Sequence, residues 1–181
     1  MRTIAILSCL TLWSAVLVEG GAQPAPEPII ATFSIAAVDP STGECGAAVA
    51  SKYPAVGKVV AHARAGVGAF CTQHYGVQAW GTKALDLMAD KKLPEEVLTD
   101  LLKNDKNPGG RQLGIIDMQG RSAQRHPVTA PANSLYWGGM SGKFYVCQGN
   151  TLNGREVIIA MGKAFEETKG SFSDRLMAAL L

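Results

Sequence analysis

The chain has 181 residues, with 17 Lys and Arg against 15 Asp and Glu and a formal net charge of +2, a balance that supplies no long-range attraction to nucleic acid or to a membrane surface. Charged residues make up 18% of the sequence and hydrophobic residues 47%, against about 25% charged in ordinary soluble domains. This excludes a disordered chain and points to one layered, well-buried domain.

The chain opens on Arg2 and an apolar run from Ile4 to Val18 interrupted only by Ser8, Thr11 and Ser14. At about 15 residues the run is short for a bilayer-spanning helix. With the small-residue exit Gly20-Gly21-Ala22 behind it, it reads as a secretory signal peptide, 1–22, cleaved after Ala22. The expected localisation is secreted or periplasmic, with no membrane insertion once the leader is gone. Loss of Arg2 and Glu19 removes one charge of each sign, so the balance is unchanged. Residues 23–31 follow as a spacer, in which Pro24, Pro26 and Pro28 favour an extended, helix-free tether.

The domain, 32–181, begins with two apolar runs, Thr32 to Val38 and Glu44 to Ser51, around Asp39-Pro40-Ser41-Thr42-Gly43. Pro40 fixes φ and Gly43 tolerates a left-handed backbone, so the segment predicts a β-hairpin, and its lack of interior charge places both strands in the middle of a sheet. A second strand pair is expected at Val56 to Ala63 and Gly66 to Gln73, joined at Arg64-Ala65. Helical spacing takes over at Trp80, Ala84, Leu85 and Met88, and Pro94 opens a second helix through Leu102 on which Val97, Leu98 and Leu101 share a face. Gln112 to Asp117 and Arg121 to Arg125 predict another hairpin, Lys143 to Gln148 a further strand, and Arg155 to Glu167 and Phe172 to Leu181 two closing helices. Segregated blocks of strands and helices predict an α+β fold with antiparallel sheets between helix layers, not a βαβ order.

Several familiar motifs fail. Gly66-Val67-Gly68 lacks the third glycine of a dinucleotide loop, since Cys71 stands there. The run Gly138 to Lys143 fails as a phosphate loop, with Trp137 where the first glycine belongs and Phe144 in place of Ser or Thr. Gly139-Met140-Ser141 fails as a nucleophile elbow at Lys143, and Ser141 is expected in a turn. His62, His74 and His126 have no metal-ligand spacing, so neither a metal nor a cofactor is expected. Cys45, Cys71 and Cys147 lack a Cys-x-x-Cys pattern, which leaves room for at most one bridge and favours burial as small hydrophobes, with Cys71 and Cys147 on strands.

What remains is Thr32, directly after the spacer at the start of the first strand. A threonine hydroxyl is a weak nucleophile until a base takes its proton, and the α-amine of the same residue serves as that base once the chain is cut between Ala31 and Thr32. The plainer alternative is a β-branched strand residue.

Thr32 to Pro40, Thr42 to Gly46 and Ala48 to Lys52 closely resemble the opening of the domain-of-unknown-function 1028 family. So do Ala55-Val56-Gly57, Ala63 to Ala69, Arg111-Gln112-Leu113-Gly114 and the run Gln148-Gly149-Asn150-x-Leu152-x-Gly154. The resemblance covers roughly 32–180, and that family is placed among the N-terminal-nucleophile hydrolases. It implies a four-layer αββα sandwich and puts Thr32 at the nucleophile's place. It also implies a basic residue near the nucleophile, where Lys52 stands against the alternative of a solvent-facing strand end. Asn150, with Gln148, offers oxyanion-type donors, or else turn chemistry before Asn153-Gly154. Two departures stand out: Arg125-His126-Pro127-Val128 replaces a histidine-threonine-glycine segment, and relatives continue past the position of Leu181 with more sheet, which leaves a C-terminal truncation open. Two functions follow, an exported amidohydrolase acting on a small-molecule or peptide substrate and a non-catalytic secreted binding domain, with a homo-oligomer left open.

Overall fold

In the computed structural model, which describes residues 31–129 and 134–181, the opening segment forms a hairpin of β1 (Thr32–Asp39) and β2 (Glu44–Ser51). Asp39 Oδ1 accepts the Ser41 amide at 2.9 Å and Gly43 takes φ 78°, the left-handed position the turn requires. The expected leader, 1–22, and the spacer up to residue 30 lie outside the described residues.

The next segment departs from expectation. Residues Val56–Val60 are a short helix, α1, and only Ala61–Arg64 (β3) pairs with β4 (Gly68–His74). Valines favour strands, but Val56, Val59 and Val60 fall at i, i+3 and i+4, and burial of that side decides the conformation. Then come α2 (Trp80–Ala89), α3 (Pro94–Leu102), β5 (Arg111–Asp117) and β6 (Ser122–Arg125). In α3, Pro94 occupies the first turn and the Glu96 carboxylate accepts the Leu93 amide at 2.8 Å. The chain closes with β7 (Tyr136–Gly142), β8 (Tyr145–Leu152), α4 (Glu156–Glu167) and α5 (Phe172–Ala178). Ser171 caps α5, accepting from the Asp174 amide at 3.2 Å.

β7 is a second departure, because Ser141 was expected in a turn and stands within a strand. A Cβ at Gly139 would collide with the Cys147 carbonyl, and one at Gly142 with the Tyr145 ring. The glycines therefore serve close approach within a sheet rather than a bend.

The strands form two antiparallel four-stranded sheets, in the orders β2-β1-β8-β7 and β3-β4-β5-β6. β1 is interior as expected, whereas β2 is an edge strand, paired with β1 alone. Side chains alternate across each inner strand. Ile35, Ala37, Tyr145 and Cys147 pack against α4 and α5 with Ile158, Phe165 and Leu176. Phe70, Leu113 and Ile115 pack against α2 and α3 with Leu85, Val97 and Leu98. A third cluster, with Ala36, Val38, Ala69, Cys71, Ile116 and Val146, lies between the sheets. Each fully buried Ile, Leu or Phe in these clusters contributes about 1.5–3 kcal/mol. The three cysteines of the described residues are free, with Cys71 and Cys147 buried on β4 and β8.

Candidate functional site

Toward one end of the inner strands the residues between the sheets turn polar. On β1 these are Thr32 and Ser34, on β4 Gln73, on β5 Gln112, and on β8 Gln148 and Asn150. All are buried, from 0% exposed for Ser34 and Gln112 to 9% for Thr32. Buried amides are stable only when hydrogen-bonded, and here Gln73, Gln112 and Asn150 bond to one another. Gln112 is the hub. Its Nε2 donates to the Gly149 carbonyl at 2.7 Å, which fixes the amide so that Oε1 accepts from Gln73 Nε2 and Asn150 Nδ2, each at 2.8 Å. Gln73 Oε1 in turn accepts from Ser34 Oγ at 2.6 Å, and its Nε2 reaches the Thr32 carbonyl at 3.3 Å.

The same amide settles the state of His126. Gln112 Nε2 lies 3.3 Å from His126 Nδ1, and Gln124 Oε1 lies 2.8 Å from His126 Nε2. A donor faces Nδ1 and an acceptor faces Nε2, so the ring is the neutral Nε2–H tautomer. Burial holds its pKa below the ordinary imidazole value, in agreement with that tautomer.

Thr32 is held from both sides, opposite Ser51 on β2 and Asn150 on β8. Its hydroxyl lies 2.8 Å from Ser51 Oγ, which also accepts the Tyr53 amide at 3.1 Å. Asn150 continues the inward row of Val146 and Gln148 on β8, next to an irregularity in the sheet. The β7–β8 register shifts between Tyr136 and Gly138, and Thr151 takes φ 55°, an outlier for a β-branched residue. Thr151 Oγ1 donates to Asn150 Oδ1 at 3.3 Å. Asn150 Nδ2 spends one hydrogen on Gln112, and its second has no partner among the described residues. Two further non-glycine residues with positive φ flank the site, Ala55 at 53° and His74 at 63°, a concentration typical of functional regions.

Thr32 and Asn150 line one cleft of about 360 Å³, together with Gln73, Thr72, α1 and the segment from His74 to Gln78. Lys52 does not line it: it is exposed beyond the end of β2. Gln148 is buried deeper, with Nε2 3.4 Å from the Cys71 carbonyl and Oε1 unpartnered among the described residues. The structure thus joins Thr32 with Asn150, puts Asn150 in a strand rather than a turn, and adds Gln73, Gln112 and His126. Gln73 and Gln112 stood at the ends of expected strands, and their one signal was a polar residue in register with an inward-facing row. Among the described residues no three His, Cys, Asp or Glu cluster as a metal site, and no helix is long and apolar enough to cross a membrane.

Residues 32–181 match the model of a family described as a family of unknown function, DUF1028. The crystal structure of protein SPO2555 from Silicibacter pomeroyi, under the same family model, superposes with a TM-score of 0.75 and 31% identity, covering 83% of this chain and 68% of that one. No curated protein matches.

Proposed function

The chain belongs to the family of unknown function DUF1028, and on that footing we propose that it is an exported hydrolase of amide bonds with Thr32 as an N-terminal nucleophile. The observation that carries the proposal is the Thr32 hydroxyl at the first position of an interior strand, in the wall of a cleft, with Asn150 directly across the β1–β8 pair. The two helix pairs packed on the outer faces of two stacked sheets support the four-layer αββα reading that goes with this chemistry. Export rests on the leader 1–22.

In the unprocessed chain the Thr32 nitrogen is a peptide nitrogen and not a base. Cleavage between Ala31 and Thr32 frees an amine on the same residue as the hydroxyl. The amine takes the hydroxyl proton as Oγ1 attacks the substrate carbonyl, and returns it to the departing amine. Water then releases the acyl group from Oγ1. In this reading the second hydrogen of Asn150 Nδ2 meets the oxyanion, a contact worth about 10²–10³ in rate in hydrolases that use one. Lys52 is exposed beyond the end of β2, outside the cleft lining, and the mechanism does not use it.

The test begins with the intact mass of the exported protein, which should show Thr32 as the first residue. An epoxyketone probe, which captures an N-terminal threonine through both its oxygen and its amine, should then add to Thr32. Thr32→Ser keeps part of the labelling and Thr32→Ala loses it by orders of magnitude, although a strand threonine costs only about 1 kcal/mol of stability. A protein that begins at Thr32 and takes no probe is the non-catalytic binding domain instead.

A further inference from the structure

The cleft also carries information about what it admits. Its far wall is α1, which presents Val56, Val59 and Val60, and its rim holds Tyr53 and Tyr75, 57% and 62% exposed. The floor is hydroxyl and amide: Thr32, Thr72, Gln73 and Asn150. Among the described residues the lining holds no Asp, Glu, Lys or Arg, and it does hold His74, whose Nδ1 lies 3.0 Å from the Gly110 carbonyl. The cations nearby are turned away or already paired. Lys52 and Lys58 are exposed and outside the lining. Arg111, which supports the rim by donating to the Tyr75 carbonyl, is bonded through Nε and Nη2 to the Asp105 carboxylate at 2.6 Å, with side chains only 13% and 7% exposed.

In the full chain, where the Thr32 nitrogen is a peptide nitrogen, an anionic ligand would therefore lose hydration on entering without meeting a lysine or arginine, and such a group is disfavoured. An apolar acyl chain gains the valine wall and the tyrosine faces. At about 360 Å³ the space lies at the small end of ligand sites, which run from ~300 to 1,000 Å³.

We infer that the cleft is selective for small uncharged carboxamides whose acyl part is aliphatic or aromatic, with the amide at Thr32 and Asn150 and the acyl part against α1 and the tyrosine rim. This rests on the amide-hydrolase reading for the end of the ligand that meets Thr32, while the selection against charge rests on the lining alone.

The probes are two anilides of matched length, N-phenylbutanamide and succinanilic acid, which differ in that the second ends in a carboxylate. Titrated into the full chain and followed by NMR, the neutral anilide should bind at least about tenfold more tightly and shift the signals of Tyr53, Val59 and Tyr75. Tyr75→Ala, an exposed position that the fold does not need, should weaken the neutral anilide. Val59→Lys, on the half-buried side of α1, should narrow or reverse the preference. Equal affinities, a preference for the carboxylate or no binding of either probe to the parent chain overturns the inference, and an unfolded Val59→Lys leaves Tyr75→Ala to decide it. Because the experiment reads binding and not turnover, its failure is distinct from a failure of Thr32 to react with an epoxyketone.

Discussion

The space between the two sheets is built in two different ways. At one end Ala36, Val38, Ala69, Ile116 and Val146 fill it by contact alone. At the other, on the same four strands, Thr32, Ser34, Gln73, Gln112, Gln148 and Asn150 fill it with groups that must each find a partner. Packing tolerates a substitution of equal volume, because dispersion has no preferred direction. The amide end does not: the Gly149 carbonyl orients Gln112, and Gln112 orients Gln73 and Asn150. Stability can come from either end, whereas placement of the Thr32 and Asn150 groups comes from the polar one.

The largest effects should separate the two ends. Ile116→Ala removes a fully buried side chain and should cost about 3–4 kcal/mol in urea unfolding, with chemical shifts at Thr32 and Asn150 unchanged. Gln112→Leu leaves the Gly149 carbonyl and the Asn150 amide without their partner and should cost about 2–3 kcal/mol, but with large shifts at both cleft residues. If Gln112→Leu leaves those shifts in place, the polar end is packing under another name and the contrast fails.

A smaller effect concerns His126, where acid should loosen the polar end. In the unfolded chain an imidazole titrates near its ordinary value of about 6.5; in the fold burial holds His126 lower. Between those two values the unfolded chain takes up a proton that the native one refuses, so the neutral ring's contribution is whole above about pH 6.5 and is lost as the pH falls through the folded value. His62 is shifted in the same direction by burial. Urea midpoints of the parent should thus fall from pH 7 to pH 5, and His126→Gln, which keeps an acceptor for Gln112, should fall less steeply. Parallel slopes would detach His126 from the network.

The smallest effect belongs to the apolar end. Burial pushes the Cys71 thiol up to about 12, and Cys147 is also raised by burial, so neither should react with iodoacetamide at pH 8 until urea unfolds the chain. Rapid native labelling of Cys71 would show water between the sheets where the packing leaves none.

The elements whose pattern is local were legible in the sequence. The turn of the first hairpin announces itself through Asp39, Pro40 and Gly43, and α3 through Pro94 and the stripe of Val97, Leu98 and Leu101. What escaped depends on neighbours far along the chain. Valines at 56, 59 and 60 fit a strand and a helical turn equally until the wall they cover is known. The glycines of β7 signal a bend unless Cys147 and Tyr145 are known to press on them. β8 continues to Leu152 beyond the expected Gln148, and that extension decides whether Asn150 turns the chain or faces Thr32. The place of Thr32 at the head of β1 was legible from the spacer before it, whereas Gln112 draws its role from bonds to β4, β7 and β8 at once.

The pairing of β1 on both edges has an implication for descent as well as for chemistry. Thr32 is anchored by two ladders of hydrogen bonds, while the valine wall opposite it belongs to a five-residue helix between β2 and β3. Lineages that inherit this scaffold can vary the wall residues Val59 and Val60, and with them what the cleft admits, without disturbing the strand position of Thr32. Divergence among them should accumulate in 58–60 and 74–78 first, and reach 32–34, 112 and 148–150 last.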